Sequence, residues 1–320
     1  MTATTVVFGD LRRRRTEWAP WLAVIAEVVH EIGRREWDAA VPSAAESRGA
    51  LVPGLAGAAV TLHAGAVRRF LERLIRVASR SESPKLSTLR GARAADLDVL
   101  VVFAASVRQD TDAIAAAAAR SGVDAEALQA VAALLSVPFL HACARRFTPS
   151  ISPGWVQGYC PVCGSWPAFA EVRGIERTRA YRCGRCGAEW HARALCCPYC
   201  EMIDHDELVA LVPQSADLSA AARERSGEWG PASDRAGVWG GAPSEIAACN
   251  RCRGYVKTFM KLQGCLPVNV MLEDLGSVEL DVAALEQGYA RPAGAGYDVA
   301  IHVTDITDRA AHRRLFHWNS

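Results

Sequence analysis

The sequence predicts an α+β protein in which an N-terminal all-α helical bundle is followed by a C-terminal module of small metal-binding ribbons. Apolar residues recur at helical spacing up to about Phe147, and a Pro/Ser/Gly-rich stretch follows at 148–158. Closely spaced cysteine pairs appear only after that stretch. Because 320 residues is about twice the usual single-domain length, we predict a helical domain over 1–150, a metal-binding domain over 159–292 and an extension over 293–320.

The helical half is expected to hold four or five helices joined by short loops. Pro20 suits a first helical turn, and Asp124 suits an N-cap. The helices are expected near residues 20–29, 54–75, 94–120, 124–136 and 138–146. Their apolar stripes, which include Val60 and Val67 in the second helix, predict a bundle core and no functional site.

Charge and hydropathy exclude several classes of partner. The formal net charge of +1 gives no whole-chain attraction to nucleic acid or to an anionic membrane. The most apolar stretches, near 97–107 and 113–119, are shorter than the roughly 20 residues that cross a bilayer. We therefore expect a cytoplasmic protein with neither a nucleic-acid nor a membrane partner.

Eight of the eleven cysteines form four C-x-x-C pairs, a pattern that in a cytosolic chain indicates metal rather than disulfides. Two intervening residues let the chain turn and direct both sulfurs at one point, so two such turns make a tetrahedral four-thiolate site. We expect sequential pairing, and the alternative is a cross-braced arrangement in which the first and third pairs share an ion. The predicted ligands are Cys160, Cys163, Cys183 and Cys186 for the first site, and Cys197, Cys200, Cys249 and Cys252 for the second.

The spacing of the pairs predicts two rubredoxin-like or zinc-ribbon units that arose by internal duplication. Nineteen residues separate Cys163 from Cys183, which leaves room for one hairpin turning at Gly174. The second unit would carry a mobile surface insertion at 213–245, rich in Gly, Ser, Ala and Pro. Further strands are expected at 205–212 and 255–260, and a helix at 282–287.

Four thiolates suit either zinc or a single rubredoxin-type iron, and the ligands alone do not separate the two. The two sites differ in the residue after the second cysteine of each pair. It is Gly164 and Gly187 at the first site, but Glu201 and Arg253 at the second. Since glycine accepts the positive φ that directs backbone N–H groups at sulfur, we expect tighter and more regular binding at the first site.

Other chemistries are weaker alternatives. The run Cys197-Pro198-Tyr199-Cys200 matches a glutaredoxin tetrad, but no βαβ pattern surrounds it, so thiol exchange is disfavoured. The ribbon region lacks the basic stripe with aromatics expected of a nucleic-acid-binding protein. Cys196 is next to the predicted ligand Cys197 in the sequence and is an alternative candidate to bind the metal. No nucleophile elbow, phosphate loop or HExxH motif is present, so an enzyme with its own substrate pocket is not predicted.

The metal-binding region as a whole resembles one known family. The resemblance covers about 159–292 and rests on Cys160–Ser165, Tyr181–Cys186, Glu189–His191 with Arg193, Cys197–Cys200, Cys249/Cys252 with Tyr255 and Lys257, Glu273–Leu275, Leu280-Asp281 and Glu286–Arg291. In order and flanking residues it is similar to the formate dehydrogenase accessory protein family, FdhE.

That resemblance implies a cytoplasmic protein with a helical domain and two rubredoxin-like, iron-binding centres whose ligands are the eight paired cysteines. Family members are needed for active formate dehydrogenase and associate with its catalytic subunit. We therefore predict a non-enzymatic maturation factor that binds that subunit, with Trp190, Arg193 and Tyr289 as candidate partner contacts. The alternatives are a redox protein acting on the same enzyme and a zinc-ribbon nucleic-acid-binding protein. Exposed helical faces would also permit a homodimer.

Overall fold

The computed structural model describes residues 3–43, 51–213, 229–231 and 244–307, which fall into two compact units. The first unit groups Met1–Ser150 and Val162–Gly164 with the chain from Tyr297 onward. The second comprises Ile151–Pro161 and Ser165–Gly296. Helices dominate the first unit and a mixed sheet dominates the second, which confirms the predicted α+β class.

Aspartate side chains cap the start of three helices in the first unit. Asp98, Asp110 and Asp124 each accept hydrogen bonds of 2.8–3.2 Å from backbone N–H groups in the turn that follows. The helices are α1 Ala3–Arg14, α2 Ala19–Ile32, α3 Arg35–Ala39, α4 Ala64–Ser79, α5 Pro84–Ser87, α6 Val99–Arg108, α7 Thr111–Ser121, α8 Ala125–Leu135 and α9 Val137–Phe147.

Two sequence predictions for this unit are wrong. The helix expected over 94–120 is interrupted, because Gln109 has a left-handed φ of +60° that ends α6 and Asp110 caps the start of α7. Val60 does not belong to a helix. It lies in strand β1, Ala59–Leu62, which pairs in parallel with β9, His302–Asp305, close to the far end of the chain.

The core of the first unit is built around aromatic rings. Trp37 stacks on Phe103 with 6.2 Å between ring centroids, and Phe103 meets Phe139 edge to face at 5.5 Å. Beside them the buried carboxylate of Glu31 accepts a 3.1 Å hydrogen bond from Trp37 Nε1 and pairs with Arg73. Packing of α2, α4 and α9 around this cluster accounts for the apolar stripes in the sequence.

One helical segment in the described ranges, Ala125–Ser150, is long and apolar enough to cross a membrane by composition. Its most apolar stretch is 83% buried inside the protein. That degree of burial is typical of a core helix, so the segment is weak evidence for a membrane span.

The second unit is organised by one seven-stranded sheet rather than by two separate ribbons. Its strands are β2 Phe169–Arg173, β3 Thr178–Arg182, β4 Glu189–His191, β5 Leu208–Pro213, β6 Trp229–Pro231, β7 Ser244–Cys249 and β8 Tyr255–Lys261. The order is β4-β3-β2-β8-β7-β5-β6, and all pairs are antiparallel except β2–β8. The β2–β3 hairpin forms as predicted, with Gly174 at φ +65° in its turn.

Two helices pack against this sheet, α10 at Val270–Gly276 and α11 at Val278–Glu286. The helix predicted at 282–287 therefore begins four residues earlier. Phe169 and Phe259, with ring centroids 5.0 Å apart, form the centre of the core between sheet and helices. Most of the predicted insertion at 213–245 lies outside the described residues.

Candidate metal centres

The four C-x-x-C turns, called knuckles 1 to 4 in chain order, share one backbone geometry. In each knuckle the N–H of the first cysteine donates to the carbonyl five residues later, at 2.8–3.0 Å. The acceptors in knuckles 1 to 4 belong to Ser165, Ala188, Met202 and Gly254. A repeated hydrogen bond at four separate sequences indicates one structural unit used four times.

The first quartet consists of Cys160, Cys163, Cys183 and Cys186, whose sulfurs all lie within 4.8 Å of one another. The Sγ atoms of Cys160 and Cys186 are 3.5 Å apart. Each of the four residues is at most 1% exposed. Strand β3 runs directly into Cys183, so the hairpin brings knuckle 2 back to knuckle 1.

The second quartet consists of Cys197, Cys200, Cys249 and Cys252, with the same 4.8 Å limit between sulfurs. Cys197 and Cys252 are 3.6 Å apart at Sγ, and Cys200 and Cys249 are 3.7 Å apart. This quartet is more accessible than the first, because Cys252 is exposed and Cys200 is half-buried. The structure thus brings the eight cysteines together in the two groups that sequential pairing predicts.

The donor set fits a tetrahedral metal ion. A metal–sulfur distance of about 2.3 Å gives sulfur–sulfur edges of about 3.8 Å, close to the observed 3.5–3.7 Å. A disulfide requires about 2.05 Å, and none of the eleven cysteines is in one. Burial raises the pKa of the Cys197 thiol, and a cation bound by the quartet would favour its thiolate form. Both quartets could therefore hold iron or zinc.

The tighter binding expected at the first site stays a prediction, but the two sites share the same backbone turn. Gly164 and Gly187 have φ of +72°, and Glu201 and Arg253 adopt the same left-handed region at +57°. The second site therefore forms the same turn, with non-glycine residues in a conformation that is unfavourable for them. Backbone N–H groups approach sulfur at both sites, from Cys186 to Cys183 at 3.5 Å and from Gly254 to Cys252 at 3.4 Å.

Gly254 follows the strained position and is needed for a different reason. A Cβ atom there would lie 2.4 Å from the Tyr199 ring of knuckle 3 and 3.2 Å from Cys252 Sγ. The Tyr199 hydroxyl donates to the Tyr255 carbonyl at 2.7 Å, which joins the same two knuckles. Knuckles 3 and 4 are therefore in direct contact outside their sulfurs.

Of the three predicted partner contacts, the structure leaves only Arg193 exposed. Trp190 is 4% exposed, and its Nε1 donates to the Gln157 carbonyl at 3.0 Å. Tyr289 is 7% exposed, and its hydroxyl donates to Asn250 Oδ1 at 2.7 Å. Both side chains are used in internal packing, so neither is available to a partner in this conformation.

The remaining cysteines lie outside both quartets. Cys143 and Cys265 are buried in the two cores. Cys196 is half-buried and donates to the Cys197 carbonyl at 3.7 Å. It also lines an apolar cleft beside the second quartet, together with Tyr199 and Val256. Outside the cysteines, Asp204, His205 and Asp206 are close together but exposed, as acidic surface groups commonly are.

Sequence reasoning missed an ionic cluster behind the second quartet. Lys257 has no exposed side-chain surface, and its Nζ lies 2.7 Å from Asp274 Oδ1 and 2.9 Å from Asp281 Oδ2. Arg291 reaches the same two carboxylates at 2.7 and 2.8 Å. Because these residues are far apart along the chain, the only sequence signal for them was that all four lie in segments that carry the family resemblance.

Comparisons with known proteins bear on the resemblance. No known protein-family profile matches the chain. An FdhE homologue from Aquifex aeolicus is 28% identical over 140 residues, 43% of this chain and 40% of that protein. A Pseudomonas aeruginosa homologue is 30% identical over 135 residues, and FdhE of Salmonella paratyphi A is 29% identical over 141 residues.

The chain is similar to FdhE proteins. The predicted resemblance is thus confirmed, over segments that span 37–40% of these FdhE relatives' own lengths. The crystal structure of the FdhE protein from Pseudomonas aeruginosa aligns over 90% of this chain and 92% of that chain, with a TM-score of 0.47 and 19% identity.

Proposed function

We propose that the chain is a non-enzymatic accessory factor for formate dehydrogenase maturation, which binds the catalytic subunit in the cytoplasm and carries two four-cysteine metal centres. The observation that carries the proposal is the presence of two complete thiol quartets in a chain that is similar to FdhE proteins.

The two quartets suit different tasks. The first is fully buried, and an ion held there would join knuckles 1 and 2 and so fix the β2–β3 hairpin. Structural metal binding of this kind contributes about 10–16 kcal/mol in small metal-dependent domains. The second quartet has an exposed ligand, Cys252, and lies beside exposed Arg193 and Leu195. A partner that responds to the metal state would therefore approach the second quartet.

Co-purification with the catalytic subunit of formate dehydrogenase tests the proposal. Metal-loaded protein handled anaerobically should be retained by that subunit as bait. Retention should weaken with Arg193→Glu and remain unchanged with Arg177→Glu, which reverses an exposed charge in the β2–β3 turn. Absence of retention of the wild-type protein would refute the catalytic-subunit role.

A second candidate, a redox protein acting on the same enzyme, is favoured by the exposure of Cys252 at the second quartet. A tetrathiolate iron site exchanges one electron when a redox partner can approach it, whereas zinc does not change oxidation state. Protein purified anaerobically should then contain iron and show a reversible change in visible absorption upon reduction. Protein that contains only zinc would argue against this candidate.

A further inference from the structure

Knuckle 4 contains a strained residue whose side chain has a specific task. Arg253 has φ of +57° at the position where glycine follows Cys163 and Cys186. Glycine would adopt this conformation more favourably. A non-glycine residue in an unfavourable backbone conformation is expected where its side chain makes contacts that compensate for the strain.

The Arg253 side chain binds residues 287–290, a segment we call the strap. Its Nη2 donates to the Gln287 carbonyl at 2.7 Å, and its Nε donates to the Gly288 carbonyl at 3.2 Å. The guanidinium carbon lies 4.0 Å from the centroid of the Tyr289 ring. The Arg253 carbonyl in turn accepts a 2.9 Å hydrogen bond from the Ala290 N–H. Both the backbone and the side chain of Arg253 are therefore joined to the strap.

The strap also contacts knuckle 4 at a residue between its two cysteines. The Tyr289 hydroxyl donates to Oδ1 of Asn250, which lies between the ligands Cys249 and Cys252. The Asn250 N–H donates to the Glu207 carbonyl at 2.8 Å. The strap thus contacts knuckle 4 on both sides of Cys252, which is the exposed ligand of the second quartet.

The strap is itself anchored. The Tyr289 N–H donates to the Ala284 carbonyl at 2.9 Å at the end of α11. The next side chain beyond the strap, Arg291, binds the carboxylates of Asp274 and Asp281, which also hold buried Lys257 of β8. These contacts connect the strap to the core of the second unit.

We propose that the strap holds knuckle 4 in its metal-binding turn through Arg253, a positioning residue, and so slows the loss of metal from the second centre. This inference rests on metal binding by the second quartet, which belongs to the proposed function. It explains why the strained position is Arg. The first centre has no need of such a device because its four ligands are buried.

Metal release to a chromophoric zinc chelator tests the proposal on the full-length, zinc-loaded, reduced protein. Arg253→Gly relieves the backbone strain but removes the strap contacts. One of the two zinc ions should then be released at least tenfold faster than in the wild type, with the other unchanged. Glu201→Gly is the matched control, because it relieves the same φ of +57° at knuckle 3, where Glu201 is exposed. Its release rates should equal those of the wild type or be slower.

A second variant and a second measurement distinguish the loss of the strap contacts from misfolding of the protein. Tyr289→Phe keeps the ring and removes the bond to Asn250, so it should also speed release of one ion, by less than Arg253→Gly. Amide hydrogen exchange should rise in a peptide covering residues 249–254 and stay unchanged in one covering 160–165. If Arg253→Gly binds two zinc ions and releases them at the wild-type rate or more slowly, the proposed role of the strap is wrong. The proposed metal function would be unaffected by that result. Wild-type protein that binds no metal would overturn both the strap and the proposed metal function.

Discussion

The ammonium group of Lys257 lies 2.9 Å from the carboxylate of Asp281, and the Lys257 side chain has no exposed surface. Lysine is almost never fully buried unless it is paired, and here it faces two carboxylates that also bind Arg291. This ion cluster joins β8 to α10 and α11, the elements that support knuckle 4 and the strap.

Lys257→Met should therefore destabilise the protein markedly. Removing one member of a buried ion cluster leaves its partners incompletely paired, and such changes cost about 3–5 kcal/mol. Urea denaturation of metal-loaded protein at pH 7 measures the free energy of unfolding. Lys85→Met, which breaks an exposed pair with Glu126, should cost about 0.5 kcal/mol or less. Equal effects of the two variants would contradict the buried role of Lys257.

The acid dependence of stability should change in Asp274→Asn. Burial raises the pKa of Asp274, but Arg291 and Lys257 lower it by more, so it lies below the ordinary value of 3.8. A lowered folded-state pKa contributes stability that is fully present above about pH 4 and is lost as pH falls through the folded value. The difference in unfolding free energy between wild type and Asp274→Asn should thus be constant from pH 7 to 5 and shrink below pH 4.

Asp204→Asn serves as the control for that titration, because Asp204 is an exposed acid outside the ion cluster. Its unfolding free energy should match the wild type across the same pH range. A gap between wild type and Asp274→Asn that stays constant down to pH 3 would rule out the ion-cluster explanation.

Single ligand variants should separate the two centres. Cys160→Ser and Cys197→Ser should each lower the bound metal from two ions per chain to one, measured by elemental analysis. Cys160→Ser should lower the melting temperature more, because its quartet is fully buried. Cys196→Ser, which changes a neighbouring thiol outside both quartets, should retain two ions. Loss of an ion in Cys196→Ser would mean that Cys196 is a ligand.

Gly158→Ala should disturb knuckle 3. A Cβ atom at Gly158 would lie 1.8 Å from the backbone oxygen of Pro198, between Cys197 and Cys200. Backbone atoms cannot rotate away as a side chain does, so we expect destabilisation by about 2 kcal/mol and weaker metal retention at the second centre. Gly154→Ala, whose nearest atom is Ser152 Oγ at 3.5 Å, should behave as wild type in thermal unfolding and chelator assays.

The sequence predicted the parts of the structure that depend on local spacing. Cysteine pairs separated by two intervening residues fold into knuckles, and the gap between Cys163 and Cys183 holds a single hairpin. The same local reasoning did not reveal that Glu201 and Arg253 adopt the left-handed turn of the glycines at the first site. It considered the backbone preference of each residue and could not see that Arg253 binds a segment 34 or more residues away.

Long-range pairing was not predictable from pattern. The parallel alignment of β2 with β8 merges two expected ribbons into one sheet, although each strand alone is compatible with either arrangement. The Lys257 cluster was missed for the same reason, because charges at positions 257, 274, 281 and 291 look like separate surface groups until α10 and α11 fold back on β8. The prediction of one helix over 94–120 was wrong for a local reason, because Asp110 caps the start of a separate helix, α7.

The pairing of β1 with β9 has a consequence for synthesis in the cell. Ala59 is matched with His302, so one half of this small sheet leaves the ribosome 243 residues before the other. At roughly 5–20 residues per second, β1 waits about 12–50 s for its partner. Until translation reaches β9, strand β1 therefore lacks its backbone partner, and this two-stranded sheet can form only late in synthesis.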